Sequence, residues 1–233
     1  YNDYMLFIFD MGGVVTTTFD MQVIFNKLNT TKEDFFNICN QHNDNIWDKL
    51  ETGNISTVDF WKTFNSRVES LQRNLFDGFL KIGGKVKSSH EVQIQNIPKV
   101  EIDLFRLYFN PKIQEKTCEL IKNLRKKHRV VCGTNTIQSH WENHTERGDY
   151  AFFDKTYASN KINCAKPNPH FFELILEAEN YKPEETFFVD DKQDNIDAAK
   201  SLGINAELMT TPEELYKKWK KYCHLKLMTL VIM

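Results

Sequence analysis

Met5-Leu6-Phe7-Ile8-Phe9 is a continuous apolar, β-prone run that stops at Asp10 and gives way to Gly12-Gly13. A short strand that is apolar on both faces belongs in the middle of a parallel sheet, and the glycines let the chain turn tightly at its carboxyl end. The pattern returns twice in the second half: Arg129-Val130-Val131-Cys132-Gly133 runs into Thr134-Asn135, and Thr186-Phe187-Phe188-Val189 runs into Asp190-Asp191. Weaker strands are predicted near residues 152–157 and 205–209.

Helices with legible ends lie between these strands. Asn110-Pro111 offers a capping residue followed by proline, ahead of an apolar stripe at Ile113, Leu120, Ile121 and Leu124. Asn168-Pro169 repeats that start before Phe171, Phe172, Ile175 and Leu176. A further helix from Asn195 to Leu202 stops at Gly203, and Thr211-Pro212-Glu213-Glu214 forms a capping box. Strand and helix therefore alternate from about residue 110 to 222, which predicts an α/β fold with a doubly wound parallel sheet.

Residues 18–105 read differently. Ile24, Phe25 and Leu28, then Phe35 and Ile38, then Phe60, Trp61, Phe64 and Val68 after a Ser56/Asp59 capping signal, are helical and aromatic. They predict a helical module inserted after the first strand, leaving 1–17 and 106–233 as the α/β core. The alternation of Val92 and Ile94 fits a short strand or an ordered loop.

Composition narrows the functional classes. With 233 residues, 41% hydrophobic and 27% charged, the chain is globular, and its net charge of −2 supplies no positive field for nucleic acid. No apolar run is long enough to span a membrane, and nothing at the start reads as a signal segment. Five cysteines without a CxxC (Cys39, Cys118, Cys132, Cys164, Cys223) indicate neither a disulfide framework nor a zinc knuckle, so a cytoplasmic monomer or homodimer is expected. His140 and His144, four apart, read as surface histidines rather than zinc ligands, because Glu142 is misplaced for an HExxH site.

In an open parallel sheet, ligands bind beyond the carboxyl ends of the strands. Asp10, Thr134-Asn135 and Asp190-Asp191 stand at such ends, Asp194 and Asn195 follow the last, and Lys166 precedes the helix at Asn168. Carboxylates gathered at one point suit a hard divalent cation such as Mg²⁺, a lysine and a hydroxyl suit phosphate oxygens, and one aspartate can serve as a nucleophile.

Asp10-Met11-Gly12-Gly13-Val14-Val15, Thr134-Asn135, Lys166-Pro167-Asn168-Pro169 and Phe187-Phe188-Val189-Asp190-Asp191 with Asn195 resemble the four ordered motifs of the haloacid dehalogenase-like (HAD) hydrolase superfamily. The details look closest to its sugar-phosphate phosphatases and to the phosphatase domain of soluble epoxide hydrolases. The resemblance implies a Rossmann-like core with the insert as a cap, and Mg²⁺-dependent hydrolysis of a small phosphorylated metabolite through an aspartyl-phosphate. It implies Asp10 as nucleophile and metal ligand, with the Gly12 carbonyl and Asp191 as further ligands and Asp190 as outer partner. Thr134 and Lys166 would hold the transferring phosphoryl, with Gly13 and Asn135 beside them.

One position departs from that pattern. Phosphatases of the superfamily usually carry a second aspartate two residues after the nucleophile, where this chain has Gly12. Three readings follow: a phosphatase restricted to good leaving groups or recruiting an acid from residues 16–20, a phosphoester-binding protein with little turnover, or a dehalogenase. The dehalogenase needs no metal and makes no use of Asp190-Asp191.

Overall fold

The computed structural model describes residues 4–81, 93–209, 211–215 and 217–218. Among them two compact units separate, the first drawn from Tyr1–Thr18, Pro111–Asn135 and His144–Met233, the second from Phe19–Asn110 and Thr136–Asn143.

The first unit is built on a five-stranded parallel sheet of β1 (Leu6–Phe9), β4 (Arg129–Thr134), β5 (Lys155–Ala158), β6 (Thr186–Asp190) and β7 (Asn205–Leu208). The strand order is β5-β4-β1-β6-β7, so the first apolar run is the central strand. Phe9 sits opposite Cys132 of β4 and Val189 of β6, which sets the carboxyl ends of the three strands level. Successive residues face opposite layers, as the period of two requires. Phe7 and Phe9 pack with Ile121 and Leu124 of α6 (Glu115–Leu124) on one side. Leu6 and Ile8 pack with Phe171, Phe172 and Ile175 of α9 (Pro169–Glu179), and with Ile196 of α10 (Gln193–Ser201), on the other, and the short α8 (Ser159–Ile162) follows β5. This is the doubly wound α/β core the sequence predicts.

The helix ends follow local chemistry in two cases and tertiary pairing in a third. Asn168 caps α9, accepting from His170 N at 3.0 Å with Pro169 behind it, and α10 leaves through Gly203 at φ +84°. The start predicted at Asn110-Pro111 is displaced: α6 begins at Glu115. Residues 112–114 instead pair with the loop after β1, where Thr17 N donates to Lys112 O and Gln114 N to Val15 O. Ladder bonds to a neighbouring segment outweigh the proline signal, which is a weak local preference.

The second unit is mostly helical: α1 (Gln22–Lys27), α2 (Lys32–Cys39), α3 (Ile46–Glu51), α4 (Thr57–Lys81) and α5 (Leu104–Leu107). A hairpin of β2 (Asn40–Gln41) and β3 (Asp44–Asn45) interrupts them, turning through His42 and Asn43, both at positive φ. Phe35, Phe60, Phe64 and Phe105 form its centre, each less than 2% exposed. Arg67 of α4 is buried and donates to the Ile38 carbonyl at 3.0 Å and to Asp44 Oδ2 at 2.8 Å, tying α2 to the hairpin. Against the predicted insert of 18–105, this unit runs on to Asn110 and takes in Thr136–Asn143. Ile137 joins its aromatic core, and Ser139 lies 3.0 Å from Thr57 and donates to Asp103. Helix α7 (Gln138–Arg147) thus starts with one unit and ends with the other.

Residues 93–95 are helical, so the short strand considered around Val92 and Ile94 does not form there; Val92 itself lies outside the described residues, as does Cys223. The other four cysteines are free and buried. His144 is not at the surface: it is 6% exposed and its Nδ1 lies 2.8 Å from Asp149 Oδ2. His140 packs edge-on against Phe19 in the second unit. Among the described residues no helix is long and apolar enough to cross a membrane.

Candidate active site

β1 delivers Asp10 to the end of the central strand, where its backbone N–H still bonds Val189 O at 2.9 Å. β6 delivers Asp190 and Asp191 beside it. Carboxylate oxygens of Asp10, Asp190 and Asp191 lie within 4.8 Å of one another. The Lys166 ammonium, 4% exposed as a residue, donates to Asp190 Oδ2 at 2.6 Å and to Gly133 O at 2.8 Å, and forms an ion pair with Asp10 Oδ1 at 2.9 Å.

Asp190 is saturated with donors. Besides Lys166, Asn195 Nδ2 donates to its Oδ2 at 2.9 Å and Lys192 N donates to its Oδ1 at 2.8 Å. It therefore acts on its neighbours' position and charge. Asp191 is exposed, and a methyl carbon on Gly13 would run into its carboxylate. Gly13 sits at φ +79°, a conformation that side-chain-bearing residues avoid, and its N–H donates to Thr16 O at 2.8 Å. The turn from Met11 to Thr16 closes on the Met11 carbonyl, which accepts from the N–H groups of Val15 and Thr16 and from the Thr16 hydroxyl. Gly12 is half-buried, and a Cβ added there would meet nothing within 4 Å.

On β4, Thr134 is buried with its hydroxyl 3.3 Å from Asn135 O, a weak contact. The Asn135 side chain is engaged twice by the Lys166 backbone: its Nδ2 donates to Lys166 O and its Oδ1 accepts from Lys166 N, both at 2.8 Å. Asn135 thus holds the lysine in place, a task that its sequence position gives no sign of. Gly133 is required by packing, since a Cβ there would come within 2.8 Å of Ile8 Cγ2.

Electrostatics follow from the Lys166 ammonium lodged between Asp10 and Asp190, with Asp191 feeling both Lys192 and Lys166. Burial pushes the Asp10 pKa up to about 6, with the Asp190 charge adding and Lys166 opposing. Burial and then Asp190 raise Asp191. Burial works against the Lys166 ammonium, but the two carboxylates outweigh it and hold its pKa above the ordinary value. Oδ1 of Asp10 is buried with no well-formed hydrogen bond. Hard oxygen donors in excess of positive charge are the environment a divalent cation fits, with Asp10 and Asp191 holding the open oxygens.

Cys132 and Tyr150, two residues in the apolar layer of Phe9, carry no sequence signal. Burial, and then the charge of Asp10, push the Cys132 thiol up. Tyr150, from the 3₁₀ turn Asp149–Phe152, is raised by burial and by Cys132, Asp149 and Asp10. Only the pairing of β1 with β4 and the return of the chain after α7 bring them there.

Comparison with known proteins agrees with this arrangement. The chain is 24% identical over 208 residues to D-ribitol-5-phosphate phosphatase of Bacteroides thetaiotaomicron, covering 84% of this chain and 87% of that protein. Drimenol cyclase drtB of Aspergillus calidoustus is 33% identical over 70 residues, 30% of this chain, and the chain spans only 13% of that protein. Among solved structures, a HAD family enzyme of Bacteroides thetaiotaomicron in complex with magnesium and inorganic phosphate superposes with a TM-score of 0.55 at 25% identity, covering 89% of this chain and 94% of that one. A sequence profile of the haloacid dehalogenase-like hydrolases matches residues 4–203, nearly the whole length, and the chain belongs to that family.

Proposed function

We propose that the chain is a Mg²⁺-dependent phosphatase that hydrolyses a small phosphorylated metabolite through an aspartyl-phosphate on Asp10. The observation that carries this reading is the meeting of Asp10, Asp190 and Asp191 around one buried lysine at the carboxyl ends of adjacent strands. Relatives bearing the names D-ribitol-5-phosphate phosphatase, phosphorylated carbohydrates phosphatase and glyceraldehyde 3-phosphate phosphatase support a phosphorylated carbohydrate as the substrate class.

When bound at this cluster, Mg²⁺ supplies positive charge to the phosphoryl oxygens. Asp10, fixed on the central strand, places a carboxylate oxygen in line with phosphorus, and Lys166 offsets the charge that builds on the phosphoryl group. Asn195 and Lys192 N donate to Asp190 and hold it in orientation, so that the lysine and the nucleophile hold their spacing. Thr134 offers a hydroxyl at the end of β4. A dehalogenase makes no use of Asp191, which here stands open beside a glycine that its carboxylate requires.

The test is turnover of a panel of phosphorylated metabolites by the purified protein with Mg²⁺, set against Asp10→Asn. Phosphate release by the native protein and none by Asp10→Asn is expected; no release above that control would remove the proposal.

A further inference from the structure

A phosphatase that forms an aspartyl-phosphate moves a proton twice: one goes onto the leaving oxygen of the ester, and one comes off the attacking water. A carboxyl group on the loop after the nucleophile would serve both transfers. Here that loop, Met11 to Thr18, contains no acid, histidine or lysine. Its first two threonines are already engaged: Thr16 is wholly buried with its hydroxyl on Met11 O, and Thr17 Oγ1 accepts from Lys112 N at 2.9 Å. The nearest acid along the chain after this loop, Asp20, accepts from Gln22 N at 2.9 Å ahead of α1. Gly12 leaves clear space, with nothing within 4 Å of where its Cβ would stand. Lys166 is held between three oxygen acceptors, and its ammonium neutralises Asp10 and Asp190.

We infer that Gly12 sets the substrate class of this site: phosphate esters whose leaving oxygen is stable as an anion, such as acyl, enol or anomeric phosphates, in preference to esters of simple alcohols. The inference rests on the phosphatase reading above. In the first step an Asp10 carboxylate oxygen bonds to phosphorus while the bond from phosphorus to the ester oxygen breaks. The electron pair leaves on that oxygen, which departs as a carboxylate, or as an enolate or hemiacetal anion that takes its proton from solvent. In the second step water attacks phosphorus, the bond to Asp10 breaks with its electrons returning to the carboxylate, and the proton of water passes to a phosphoryl oxygen. Neither step asks a side chain at position 12 to carry a proton. An alkyl ester would have to expel an alkoxide, and a positioned acid is worth about 10²- to 10⁴-fold in such a departure.

Three measurements test this on the full chain with Mg²⁺. The first is kcat/KM for a graded series: acetyl phosphate, aryl phosphates of increasing phenol pKa, and alkyl phosphates. A steep fall along the series is expected in the native protein. The second is Gly12→Asp, for which the open space and the absence of a positive φ predict normal folding. It should raise the ratio of alkyl to acyl phosphate turnover by about 10²- to 10⁴-fold. Intact-mass detection of phosphorylated Asp10 during acetyl phosphate turnover gives a separate readout. The phosphoenzyme should accumulate in the native protein and fall in Gly12→Asp, which gains a base for the second step. A flat series in the native protein, meaning that a proton donor reaches the ester from elsewhere, would overturn the inference and leave the phosphatase reading standing. No turnover of any ester above Asp10→Asn would remove both.

Discussion

Lys166 and Gly13 show how much of the site depends on single atoms. Lys166 pairs with both Asp10 and Asp190, and its side chain is 1% exposed. Removing one partner from a buried charge cluster costs about 3–5 kcal/mol, because the remaining charges are left uncompensated. Lys166→Met should therefore lower the unfolding free energy extrapolated from urea by that order near pH 8, where Asp10 is ionised, and an unchanged value would show that the lysine is not a structural counter-charge. Gly13→Ala combines a positive φ with a clash against Asp191, and a strain of about 1–3 kcal/mol is expected. The variant should also lose its thermal response to Mg²⁺, as the carboxylate is displaced. Which side chains meet is readable in the sequence, since Asp10, Asp190 and Asp191 stand directly after apolar strands and Lys166 before a proline-started helix. The open space at Gly12, the Asn135 clamp and the packing of Tyr150 against the layer of Phe9 are set by distances between segments far apart in sequence, and no local pattern encodes them.

At the scale of elements, the apolar runs translate directly into β1, β4 and β6 because each is buried on both faces and admits one role. The failures share a cause. The turn expected to open α6 at Pro111 is overruled by pairing with residues 15–17, and the β2–β3 hairpin is four residues of ribbon, too short to show alternation. His144 shows the same limit: helical spacing with His140 suggests a surface, whereas the return of the chain through Asp149 and Tyr150 buries it. Burial lowers its pKa below the ordinary 6.5; Asp149 opposes the shift and Arg147 reinforces it. Below 6.5 the unfolded chain takes up a proton that the folded chain resists, so the unfolded state binds more protons and stability falls as pH drops. The raised carboxyl of Asp10 works the other way, gaining stability as pH falls through about 6, so the His144 contribution is read as a difference: the urea midpoint of His144→Gln should rise relative to that of the native protein as pH falls from about 7.5 to 5.5. Parallel profiles for the two proteins would assign the pH dependence elsewhere.

For the whole molecule, the cluster of Asp10, Asp190 and Asp191 predicts that a divalent cation stabilises the fold. A ligand at a hundredfold excess over its Kd adds about 2.7 kcal/mol, which for a chain of this size raises Tm by roughly 5–10 °C. Mg²⁺ should produce such a rise in calorimetry, chelation should reverse it, and Asp191→Asn should abolish it; a rise that survives Asp191→Asn would place the cation elsewhere. The order of the chain has a further effect during synthesis. β1 is made first, yet its partners β4 and β6 begin at Arg129 and Thr186. At roughly 5–20 residues per second, the most apolar strand of the protein waits on the order of 6–35 s for its neighbours. Throughout that interval Leu6 to Phe9 is an unpaired edge open to other nascent chains, so the yield of soluble protein should depend on holdase chaperones and on slow, cool expression more than the stability of the finished fold would suggest.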